Sequence, residues 1–184
     1  MHRTAYLLLL ITMLSWGGNA VAGKFAVGHV SPMLITAGRW GMACLILAPF
    51  GWRRLSEDWP LIRRNLPLLV LLGILGFTLF NVALYGALVF TSAINASIEQ
   101  AGVPLFVFIT SFLLFGTRVT AAQVVGFLLS LVGIGLVASH GDFARLLELD
   151  INLGDLMMVG GAIVYGVYTA LLRKKPPVHW LSLM

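Results

Sequence analysis

The chain has 184 residues, 59% of them hydrophobic and only 10% charged, with a mean hydropathy of +0.96. Soluble domains carry about 25% charged and about 45–50% apolar residues, so composition excludes an ordinary soluble domain. The net charge of +5 comes from bases that flank apolar runs, which points to membrane topology and lipid headgroups and excludes a nucleic-acid partner.

The first apolar run, 6–23, follows His2-Arg3, and Lys24 closes it near enough to the end to snorkel. Its tail, Ala20-Val21-Ala22, resembles a signal-peptidase site, but further spans follow and a retained helix fits better. The second run, 32–51, carries Arg39 about two turns in and ends at Trp52 and Arg53-Arg54. Residues 52–65 read as a loop with four arginines, its two tryptophans suited to the interface. The third span is 68–90 and the fourth 93–115, with a turn at Thr91-Ser92. The fifth is 121–139, before a polar loop with Asp142, Arg145, Glu148 and Asp150. The sixth is 153–172, closed by Arg173-Lys174-Lys175-Pro176-Pro177. An all-α integral membrane protein of about six spans follows, since each span needs roughly 20 apolar residues.

Nine Lys and Arg residues fall on the side of the N-terminus and two, Lys24 and Arg145, on the other. The positive-inside rule therefore places both termini on the cytoplasmic side of a plasma membrane, the inner one in a Gram-negative cell. Cys44 is the single cysteine, so an internal disulfide is excluded. His2, His29, His140 and His179 lie far apart, and neither a metal site nor a cofactor is expected.

Polar residues inside these spans are the functional candidates, because charge at membrane depth is costly. Glu99 shares a helix face with Asn95, four residues earlier. Pro104 has no amide proton and so frees the carbonyl of Gln100. This polar spot reads either as part of a transport pathway or as a structural ion pair between Glu99 and Arg39, whose depths agree. Trp16 and Asn19 near the middle of the first span, and Tyr165 and Tyr168 in the sixth, lie too deep for the aromatic belt. They read as cavity lining or as helix packing. Two series of small residues, Ala93/Ser97/Ala101 and Ala162/Gly166/Ala170, read as packing faces, and Asp155 as a first-turn acid favouring the helix dipole.

An offset of 149 places Trp16-Gly17 on Tyr165-Gly166 and Lys24 on Arg173. Five spans per repeat invert the second copy, an architecture of secondary transporters. The chain resembles the EamA-type permeases of the drug/metabolite transporter superfamily. That resemblance rests on Trp16-Gly17 with Lys24, Arg39, Tyr85-Gly86-Ala87-Leu88 with Thr91-Ser92-Ala93, Pro104, and Gln123 with Gly126. It covers one five-helix repeat over 1–140, then a loop over 141–152 and the first helix of a second repeat over 153–184. One departure is Thr117 before Arg118, where the family often has an acid. The resemblance implies secondary export or exchange of a small metabolite or drug by a ten-helix protein, here truncated. Such a chain is expected not to transport as a monomer. The alternatives are a half-size transporter working as a parallel homodimer and a non-transporting scaffold or assembly subunit. An enzyme finds no nucleophile with a base at helical spacing and no phosphate-cradling motif.

Overall fold

The computed structural model describes residues 2–138 and 152–183, and these form helices and short connections without a strand. In chain order they are α1 (His2–Ala26), α2 (Pro32–Arg64), α3 (Leu66–Leu72), a π-helical segment (Gly73–Leu79), α4 (Phe80–Phe90), α5 (Ala93–Gln100), α6 (Val103–Phe115), α7 (Ala121–Ala138), α8 (Leu153–Leu171) and α9 (Trp180–Leu183). Five stretches are long and apolar enough to cross a membrane: Thr4–Ala26, Pro32–Arg64, Leu66–Phe90, Ala93–Phe115 and Leu153–Lys174. Ala121–Gly133 is a shorter apolar helix. The protein is an all-α membrane protein. The polar loop with Asp142, Arg145, Glu148 and Asp150 lies outside the described residues.

Three spans differ from their sequence outline. Residues 52–65 are not a loop, because α2 runs on to Arg64. Glu57 accepts from Arg53 Nε at 3.2 Å and from Arg54 Nη1 at 2.9 Å, ordinary i,i+4 and i,i+3 helix pairs. At the end, the Asn65 amide donates to the Leu61 carbonyl at 2.8 Å. The extension also has a partner, since α9 packs on α2 and the His179 N–H donates to Asp58 Oδ2 at 2.8 Å. That bond holds the Asp58 carboxyl below its ordinary range.

The fourth span is two helices rather than one. α5 stops at Gln100, and the N–H groups of Ala101 and Gly102 turn back to the carbonyls of Ile98 and Glu99 at 3.1 and 2.9 Å. α6 restarts at Val103 with Pro104 in its first turn, where no amide proton is needed. Within the third span, Gly73–Leu79 widens into a π turn, and the Phe80 N–H reaches back five residues to Leu75.

The core lies where α4 meets α8, around Leu84, Tyr85, Ala87, Leu88, Ala96 and Met158. Small residues let the helices approach. A Cβ on Gly166 would sit 2.8 Å from the backbone carbon of Phe106 on α6, and one on Gly161 would sit 3.1 Å from Ala83 Cβ. Thr110 Oγ1 donates across that contact to the Gly166 carbonyl at 3.0 Å. The Ala162/Gly166/Ala170 series is therefore a packing seam, buried throughout. Asp155 belongs to a capping box at the start of α8, where Asn152 N–H donates to its Oδ2 at 2.8 Å.

Lys24 does not snorkel. Its Nζ donates to the carbonyls of Leu88 and Thr91 at 2.7 and 2.8 Å, capping the C-terminal end of α4. Arg173, its counterpart at the offset of 149, also crosses to the end of another helix. It donates to Thr117 Oγ1 at 2.7 Å, just past α6. The hydroxyl at the place where an acid was expected thus accepts from a base.

Candidate functional site

Between α1, α2, the π turn, α4 and α8 lies a cavity of about 380 Å³ that also reaches Gln100 at the end of α5. Each wall has a sequence reason. Trp16 and Asn19 are three apart on α1 and Tyr165 and Tyr168 three apart on α8, so each pair shares a face. Gly76 makes room: a Cβ there would lie 2.6 Å from the Tyr168 ring.

One charge stands in this cavity. Arg39 Nη1 donates to Asn81 Oδ1 at 3.0 Å and to the Tyr85 hydroxyl, and that hydroxyl donates to Asn19 Oδ1 at 2.8 Å. The guanidinium also stands 5.6 Å from the centre of the Tyr85 ring and 5.8 Å from that of Trp40. Its Nε and Nη2 have no acceptor among the described residues. Tyr85 is 1% exposed and Asn81 6%, whereas Arg39 is open to the cavity.

The expected ion pair between Arg39 and Glu99 is not formed. Their depths match, but azimuth separates them: Arg39 turns toward α4 and α1, while Glu99 on α5 faces Asp155 of α8. Glu99 Oε2 and Asp155 Oδ1 are buried, and neither has a hydrogen-bond partner apart from a proton that the two carboxyls can share. Asn95 sits in the first turn of α5, its amide N–H held by Ser92 Oγ at 3.0 Å and its side chain exposed. Of the sequence candidates, the cavity gathers Trp16, Asn19, Arg39, Gln100, Tyr165 and Tyr168, and leaves out Asn95 and Glu99. Pro104 lines a neighbouring cavity of about 610 Å³ that shares Trp16, Gln100 and Tyr165 with the first.

A chain of ring contacts forms the aromatic wall. Trp16 meets Tyr165 edge-on at 6.2 Å, Tyr165 meets Tyr168 at 5.4 Å, Tyr168 meets Phe77 at 6.1 Å, and Phe77 meets Trp40 at 4.4 Å. The Trp40 indole N–H is buried without a partner.

Sequence reasoning passed over Asn81 and gave Tyr85 no role beyond a family motif. Asn81 had a signal, as an amide in the middle of the apolar third span. It also serves the backbone: its Nδ2 donates to the Phe77 carbonyl at 3.1 Å, where the π turn reverts to α. π turns recur at functional sites, and this one sets the walls that carry Phe77, Asn81 and Tyr85.

Residues 3–139 match the EamA-like transporter family. Relatives include an "Uncharacterized transporter YyaM" of Bacillus subtilis, 27% identical over 94% of this chain and 57% of its own length. An "Uncharacterized transporter" of Archaeoglobus fulgidus is 27% identical over 96% of this chain and 62% of its own. A "Probable terminal-alkyne amino-acid exporter" of Streptantibioticus cattleyicolor is 26% identical over 87% of this chain and 52% of its own. The chain thus spans between about half and three-fifths of the length of these curated relatives. No solved structure matches it. With the family's pattern running through more than half of the chain and four of the five membrane-crossing stretches within it, the protein belongs to the EamA-like transporter family.

Proposed function

We propose that this chain carries one five-helix repeat, residues 1–140, and the first helix of a second, residues 153–184, of a secondary transporter for small metabolites in the plasma membrane. Both of its ends lie on the cytoplasmic side. The cavity lined by Trp16, Asn19, Arg39, Gln100, Tyr165 and Tyr168 is then part of the transport pathway.

The contact between Trp16 and Tyr165 carries this reading. These residues are equivalent under the offset of 149, and equivalent residues of two repeats meet only close to the axis that relates them. Transporters with inverted repeats bind substrate at that boundary, near mid-membrane and beside interrupted helices. The break between α5 and α6 and the π turn supply the interruptions.

The test is water access. In a Cys44→Ser background, Asn19→Cys and Tyr168→Cys are expected to react with a membrane-impermeant thiol reagent at least about tenfold faster than Leu129→Cys on the outer face of α7, because irregular backbone at membrane depth lines water-filled space. Equal rates at the three positions overturn the pathway assignment.

A further inference from the structure

We infer that the cavity around Arg39 selects small organic anions, with one carboxylate on a flat or apolar body. The inference rests on the pathway reading above and adds the sign of the substrate's charge. Among the described residues Arg39 is the only full charge in the cavity wall, and no acid lines it. Its two bonded partners, Asn81 and Tyr85, are neutral, so the guanidinium has acceptors but no counter-ion. Charge at membrane depth is costly, and a bound anion offsets that cost.

Geometry favours a carboxylate. The neutral partners engage one nitrogen, Nη1, leaving Nε and Nη2 for the two parallel hydrogen bonds a carboxylate accepts. Trp16, Phe80 and Tyr165 also line the cavity, rings suited to a flat or apolar body. A single positive charge matches a monoanion and leaves a phosphate dianion half neutralised. A volume of about 380 Å³ admits a molecule of metabolite size.

The 184-residue chain in lipid nanodiscs is titrated with three probes of matched shape: tritiated phenylacetate, phenethylamine and 2-phenylethanol. Inorganic phosphate is added as a competitor. Phenylacetate is expected to bind at least about tenfold more tightly than phenethylamine, as a charge-assisted bidentate pair requires, with phosphate competing weakly. Arg39→Gln should erase that preference. Arg39→Lys, which keeps the charge and the fold while losing the fork, should reduce but retain it. Trp16→Ala should weaken all three probes together. Equal binding of the acid and the amine, a preference that survives Arg39→Gln, or strong competition by phosphate each overturn the anion assignment while leaving the cavity intact. Binding that ignores Trp16→Ala removes the cavity itself, and the pathway reading falls with it.

Discussion

The two sides of α4 and α8 follow opposite rules. Where they face each other, and where α8 meets α6, Gly161, Gly166 and Met158 of α8 fit closely against Ala83, Leu84 and Phe106. Where they turn toward α1 and α2, the same helices present Phe80, Asn81, Tyr165 and Tyr168 to an open cavity. In a bilayer there is no hydrophobic drive between helices, so close packing of small residues has to supply cohesion. With cohesion confined to one side, the other is free to hold a charge, spare donors and broken helices. The contrast separates positions where volume matters from positions where hydrogen bonding matters.

The largest expected effect breaks the seam. Gly166→Leu drives a side chain into the Phe106 backbone and should cost about 3 kcal/mol or more, at the upper end of overpacking. Thermal unfolding in detergent measures it against Leu129→Ala on the outer face of α7. Equal shifts in the two variants would mean that the seam does not hold the fold.

Next comes the cavity side. Tyr85→Phe keeps the ring in place and removes the hydroxyl that joins Arg39 to Asn19. It should cost about 2 kcal/mol, the scale of leaving buried partners unsatisfied. In a double-mutant cycle with Asn19→Ala the two losses should be clearly less than additive. Simple additivity would show that the three side chains do not act as one network.

Glu99→Gln sharpens the comparison in the opposite direction. It places a permanent amide donor beside the Asp155 oxygen, in place of a carboxyl that donates only while it holds a proton, and should stabilise the protein by about 1 kcal/mol at alkaline pH. A loss of stability in the melting experiment would show that Glu99 has an acceptor role that the geometry does not provide.

The smallest effect lies at the polar end of α2, past the apolar run 32–51, where α9 packs. The folded Asp58 carboxyl titrates below its unfolded value near 3.8. Its bond to the tail is therefore fully in place above that value and weakens as pH falls through the lower, folded one. Melting curves from pH 6 down to about 3 should show a slightly steeper loss in the wild type than in Asp58→Asn. Identical slopes would release the tail from any dependence on this carboxylate.

The spans were legible because continuous apolarity over about twenty residues suits a bilayer and little else. Tyr165, Tyr168, Trp16 and Asn19 were legible for a related reason, since polar and aromatic groups at mid-depth stand out against an apolar background. The break before α6 was half legible, with Pro104 marking its place but not the turn at Ala101 and Gly102. The extension of α2 was hidden by its polarity, although the spacing of Arg53, Arg54 and Glu57 carried a helix signal. Pairing Arg39 with Glu99 failed because depth can be read along a chain and rotation about a helix axis cannot. The π turn left no mark at all, as its sequence, GILGFTL, is that of any apolar helix.

That turn has a bearing on which changes in length the gene can absorb. Successive residues of an α-helix advance by about 100° around its axis, so a π turn acts as a phase shifter between the halves of the third span. Losing one codon within 73–79 would let the segment revert to α, because a π turn holds one residue more than the α-helical stretch that covers the same rotation. Asn81 and Tyr85 would then keep their facing toward Arg39, and Gly86 its place in the seam. A one-residue loss just beyond, within 80–84, has no such slack and would rotate the rest of α4 by about 100°, acting like several simultaneous substitutions.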